Sequence, residues 1–201
     1  MDTQTQFNQK LFSFLQMLAR NGMHKAAEGF SGLLGQRLVV VDPAVRVIDF
    51  TEIPNVLGGP ENEAVGIYLK SEGDISAQIM LILPYTKALE LVDLMMGEPT
   101  GTTQTLGKLE RSALGEVGNM TGSFFMNSVA EATGMDIRPT PPAVMVDMVG
   151  AILDIIVATS GGISDRVLLL QAKFLLDNRE VEANFWVIPD YKTLEIFNNH
   201  L

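Results

Sequence analysis

The chain runs through one folding programme twice, a long helical pattern, then strand patterns, then a short helix. Leu11, Phe14, Leu15, Leu18 and Ala26 recur at helical spacing and predict a helix from about Phe7 to Leu34. Strand patterns rich in β-branched residues follow at Leu38–Val41, Ala64–Lys70 and Ile75–Leu83, with Glu72-Gly73-Asp74 as a hairpin turn. Pro84 stops the last of these, and Tyr85–Met96 reads as a short helix. The polar stretch Gly97–Gly107 is the linker. The second pass has a helix at Leu109–Thr133 and strands at Val144–Met148, Ile152–Thr159, Arg166–Leu176 and Glu180–Ile188. A terminal helix is predicted over Asp190–Asn199.

Self-comparison supports a duplication. At an offset of 99, Ser13 matches Ser112, Gly35 matches Gly134, and Pro43-Ala44-Val45 matches Pro142-Ala143-Val144. At an offset of 105, Pro84, Lys87, Leu89 and Glu90 match Pro189, Lys192, Leu194 and Glu195. A six-residue insertion among the intervening strands reconciles the two offsets. The expected organisation is one domain over residues 1–201, made of two pseudo-repeats at about 7–97 and 107–201.

Composition removes several classes of function. The 24 acidic and 14 basic residues leave a net charge of −10, which disfavours nucleic acid and anionic membranes as partners. No cysteine is present, so disulfides, thiolate metal sites and thiol nucleophiles are excluded. His24 and His200 are the only imidazoles, which leaves no histidine-rich metal centre and no ready triad. The start, Met1-Asp2-Thr3-Gln4, lacks the basic and apolar regions of a secretory signal, and a cytoplasmic protein is expected. The most apolar window, Val144–Ala158, is interrupted by Asp147 and Asp154 and reads as buried strands rather than a membrane span.

The second long helix carries the most informative pattern. At about 100° per residue, Ser112, Glu116, Asn119, Ser123 and Asn127 fall within an arc of roughly 80°. Ala113, Leu114, Val117, Met120 and Phe124 gather on the other side, the expected core face. A polar arc is ordinarily a solvated face. Here, however, it uses Ser and Asn, which compete with the helix backbone for hydrogen bonds. Gly115 and Gly118 add a cost of up to about 1 kcal/mol each relative to Ala. These concessions are read as the making of a flat surface that another molecule can approach.

The pattern Ser112-x3-Glu116-x2-Asn119-x21-Pro141 resembles the signature of the CheC, CheX and FliY phosphatases of chemotaxis. The strings Glu116-Val117-Gly118-Asn119-Met120 and Pro141-Pro142-Ala143-Val144-Met145-Val146-Asp147-Met148 also resemble CheC. The resemblance implies an α+β fold with pseudo-twofold duplication, two long helices packed on a multi-stranded mixed or antiparallel sheet. It implies dephosphorylation of the aspartyl phosphate of a CheY-type response regulator, with no cofactor or metal of the chain's own and Mg²⁺ supplied by the bound regulator. In this reading Asn119 orients the attacking water, since a carboxamide both accepts and donates hydrogen bonds. Glu116 pairs with a lysine of the regulator. Ser112 and Ser123 continue the contact stripe, and Pro141 shapes the chain entering a strand.

CheC proteins usually carry two such sites, and here the first is degenerate. At the offset of 99 the motif falls on Ser13, Met17, Arg20 and Asp42, of which only the serine survives. Met17 cannot form the ion pair, and Arg20 offers no acceptor to a water while adding positive charge that discourages docking. One active face is therefore expected. The first helix is either kept for packing or turned to dimerisation or another partner. The competing reading of the whole chain is an interaction module without turnover, binding the receptor deamidase CheD or related to the flagellar switch. A switch role is not expected, because no C-terminal extension supplies a rotor-binding domain. Gly58-Gly59-Pro60 and Gly161-Gly162 are expected turns, His24 has no assigned role, and Trp186 and most methionines are expected in the core.

Overall fold

A computed structural model describes residues 9–49, 52–159, 166–176 and 179–200. The expected turn at Gly161-Gly162 lies outside them. In chain order the elements are α1 (Gln9–Leu34), β1 (Leu38–Asp49), α2 (Ile53–Val56), β2 (Glu63–Gly73), β3 (Ala77–Pro84) and α3 (Tyr85–Met96). They continue with α4 (Lys108–Thr133), β4 (Ile137–Pro139), β5 (Ala143–Met148), α5 (Val149–Thr159), β6 (Arg166–Leu176), β7 (Arg179–Pro189) and α6 (Tyr191–His200).

The strands form one antiparallel sheet in the order β1-β6-β7-β3-β2-β4, with β5 also paired to β2. Read outward from the central β3–β7 pair, the order is β3, β2, then β4 and β5 on one side, and β7, β6, β1 on the other. This is the order that a twofold-related pair of repeats gives. The two long helices are each 26 residues, and their first residues stand 99 apart. Both are followed by a glycine in the left-handed region, Gly35 and Gly134, where any side chain would be strained.

Helices α1 and α4 cover one face of the sheet. Their buried stripes, Leu11, Leu15, Leu18, Met23 and Phe30 on α1 and Leu114, Val117, Phe125 and Val129 on α4, join Ile67, Leu69, Ile79 and Leu81 in the larger core. Each such side chain, fully buried, contributes about 1.5–3 kcal/mol. Phe125 of α4 meets Phe185 at 5.6 Å with the rings tilted, Phe185 meets Phe174 at 5.8 Å, and Phe174 meets Phe30 of α1 at 6.1 Å. That aromatic row ties both helices to β6 and β7. The other face is covered by α5 and α2, around Met80, Ile82, Leu169 and the buried Trp186.

Several expectations are corrected. Ile152–Thr159 is the body of helix α5, not a strand. Val149, Ile152, Leu153 and Ile156 face the sheet while Asp154 and Ile155 are exposed, a helical spacing that the β-branched composition obscured. Strand β1 extends through Pro43 by a bulge between Val41 and Ala44, with Asp42 at φ 50°. The short elements α2 and β4 stand in stretches for which the sequence pattern predicts no element. Met23, Met80 and Met126 are buried as expected, whereas Met17, Met96 and Met148 are exposed. No described helix is long and apolar enough to cross a membrane.

Candidate functional site

Helix α4 starts from a firmly tied loop. Asp93, at the end of α3 and 1% exposed, accepts the backbone N–H groups of Gly101, Thr102 and Thr103 at 2.7–3.2 Å. A hydrogen bond from the Thr103 side chain, aided by the three backbone N–H groups, holds its carboxyl below the usual aspartate range. Arg111 then clamps the entry, its Nε donating to the Leu106 carbonyl at 3.1 Å and its backbone N–H to that of Gly107.

On this helix the polar arc turns outward as expected. Ser112, Glu116, Asn119 and Asn127 are exposed, and Ser123 is half-buried. Glu116 and Asn119 stand one turn apart, about 4.5 Å along the axis. Among the described residues, no hydrogen bond or ion pair engages the side chain of Ser112, Glu116 or Asn119. Their polar atoms are left to solvent or to a visiting molecule.

The glycines do something other than flatten this surface. Gly118 and Gly122 are buried, and they let α4 lie against β2. A Cβ on Gly118 would collide with the Ile67 methyl, and one on Gly122 would stand 2.6 Å from Leu69. Gly115 is half-buried and faces Pro142 and Val144. The small residues therefore set the depth of the helix on the sheet. Phe124 is likewise not core. It is 36% exposed and lies over Gly29 of α1, where a Cβ would come within 2.6 Å of its ring.

Pro141 is exposed at a corner between β4 and β5. Thr140 pins that corner, donating its N–H to the Lys70 carbonyl and accepting the Lys70 N–H on Oγ1, both at 2.9 Å. Pro142 closes against Gly118 and Gly115, beside the turn that carries Glu116 and Asn119. Thr140 and Pro142 are supports that the motif alone did not reveal; the i,i+3 glycines on α4 were the readable sign that something packs there.

The first face is built alike and furnished differently. Ser13, Met17 and Arg20 are exposed on α1, with Met17 at 41%. Asp42, at the position corresponding to Pro141, has a left-handed backbone that proline, with φ fixed near −65°, cannot adopt. Among the described residues no group of three or more His, Asp or Glu side chains is placed to hold a metal ion.

Residues 109–146, a span containing Ser112, Glu116, Asn119, Ser123 and Pro141, match the CheC-like family. Over 185 residues the chain is 23% identical to the CheY-P phosphatase CheC of Bacillus subtilis (strain 168), covering 90% of this chain and 88% of that protein. Among solved structures, FliY of Thermotoga maritima superimposes with a TM-score of 0.73 at 18% identity, over 96% of both chains. A CheX–CheY–BeF₃–Mg²⁺ complex from Borrelia burgdorferi matches with a TM-score of 0.55 at 15% identity, over 85% of this chain and 95% of that one. At these identities the structural likenesses speak for the fold.

Proposed function

The chain belongs to the CheC/CheX/FliY family, and on that premise we propose that it hydrolyses the aspartyl phosphate of a CheY-type response regulator through the α4 face. The observation that carries this reading is the Glu116–Asn119 pair. Its two polar side chains are exposed, one turn apart, unbonded to any of the described residues, and mounted on a helix locked to the sheet.

An aspartyl phosphate is an activated acyl phosphate, so the reaction needs positioning more than a strong nucleophile. Asn119 enters the phosphorylated pocket and holds a water with its amide oxygen, in line with the phosphorus. The water oxygen bonds to phosphorus as the bond between phosphorus and the aspartyl oxygen breaks. Both of the water's protons leave with the released phosphate, and the regulator's carboxylate is restored. Glu116 pairs with a cation beside the pocket and fixes the register, while Ser112 and Ser123 extend the contact. In this reading the divalent ion that neutralises phosphoryl charge is carried by the regulator, and Glu116 is the one carboxylate of the α4 stripe.

The α1 face has no turnover in this reading, because Met17 and Arg20 replace the pair. It is the surface left for CheD or a second copy. Homology with a CheY-P phosphatase and a CheX neighbour bound to CheY support the assignment. The test is release of phosphate from phosphorylated CheY-type regulator with Mg²⁺, comparing the wild type with Asn119→Ala. Equal rates would remove the mechanism.

A further inference from the structure

The exposed side of α4 carries two large apolar side chains that reach solvent. Leu109, in the first turn, is 65% exposed, and Phe124 is 36% exposed. On the helical wheel Leu109 lies within about 20° of Glu116, and Phe124 lies about 80° further round, at the seam with α1. Along the axis they stand about 15 Å before and about 7 Å after Asn119. They bracket the pair.

The other half of the molecule supplies an internal control. Helices α1 and α4 have equal lengths and a constant offset, so Leu109 corresponds to Lys10, Glu116 to Met17, Asn119 to Arg20 and Phe124 to Lys25. Where the pair is missing, both apolar positions hold exposed lysines, and Lys25 bridges to Glu28 at 2.9 Å. Exposed apolar groups at these places are therefore no requirement of the fold. They accompany the intact pair.

We propose that Leu109 and Phe124 are the affinity-determining contacts of this face, each seating on an apolar patch of a CheY-type receiver domain on either side of its phosphorylated aspartate. The proposal rests on the reading above for its partner, and it adds a division of labour. Asn119 acts at the phosphoryl group, Glu116 fixes the register, and the flanking apolar side chains supply most of the hold on the regulator.

The experiment titrates a CheY-type receiver domain carrying beryllofluoride and Mg²⁺ into the wild type, Leu109→Lys, Phe124→Lys and the exposed control Met96→Lys by calorimetry. Turnover of the phosphorylated domain is measured on the same four proteins. Each α4 substitution should weaken binding about tenfold and raise KM with kcat retained, while Met96→Lys matches the wild type. Leu109 is exposed enough that its variant keeps the fold, so it decides alone if Phe124→Lys, which uncovers Gly29, melts early. Wild-type binding by both α4 variants, or no binding by the wild type, would overturn the proposal. Binding that the variants weaken, without turnover by any of the proteins, would uphold the contact surface and sink the phosphatase reading. Turnover with unchanged KM in both variants would do the reverse.

Discussion

Replacing Asn119 by aspartate would change one NH₂ group into an oxygen and leave the shape almost intact. The change removes a donor and sets a negative charge beside a phosphoryl group that is already anionic. Asn119→Asp should therefore lose as much turnover as Asn119→Ala, on the order of 10²–10³-fold, with melting temperature unmoved because the side chain is exposed. Phosphate release beside a thermal melt checks both halves. Glu116→Gln keeps the hydrogen-bonding shape and drops the charge, so it should act mainly on KM, by about tenfold. Asp93 works on stability instead. Its folded pKa lies below the unfolded one, so the folded chain binds fewer protons in the acid range. Its contribution is fully present above the ordinary carboxylate range and is lost as pH falls through the depressed value. Asp93→Asn should lower stability at neutral pH and flatten the acid limb, measured by denaturant unfolding between neutral and acid pH.

At the scale of elements, α4 shows what one missing Cβ can mean in three places. Gly122→Ala would put a methyl 2.6 Å from Leu69, and Gly118→Ala would drive one into Ile67. Each should destabilise by about 1–3 kcal/mol and lift α4 from the sheet. At Gly115 the nearest atom to a new Cβ is 3.8 Å away, an ordinary contact. Gly115→Ala should stabilise by about 0.5–1 kcal/mol through helix propensity, a rise of about 2–4 °C per kcal/mol in a thermal melt. The same glycines mark the limit of what was legible beforehand. Periodicity recovered α3 and β6 to the residue, since a full helical or strand pattern stood between clear breakers. It recovered the outward turn of Glu116 and Asn119 for the same reason. It could not say which neighbour a glycine admits, because that depends on β2, distant in sequence. Nor could it separate strand from helix in the short apolar run of α5, where both templates fit. Phe124 was misplaced for a related cause: the seam between α1 and α4 is a tertiary surface with no signature along one helix.

The whole molecule offers its own test of the site, because a twofold-like fold presents α1 much as it presents α4. If positioning by the helix is what matters, the lost face can be rebuilt on exposed positions without disturbing the core. Met17→Glu with Arg20→Asn restores the pair, and Lys10→Leu with Lys25→Phe restores the flanking contacts, at the cost of one solvent-exposed Lys25–Glu28 bridge that contributes little. One part resists transfer. Asp42 sits at φ 50° in the bulge of β1, so the corner that Pro141 makes on the other side cannot be copied by substitution. In an Asn119→Ala background, the two-residue graft should leave turnover near background, since the lysines still oppose docking. The four-residue graft should raise it at least about tenfold, because docking and positioning are then supplied together. Phosphate release by the two grafted proteins separates the cases. A four-residue graft that binds the regulator but does not turn it over would mean that the corner at Pro141, held by Thr140 and Pro142, sets the geometry the helix alone cannot.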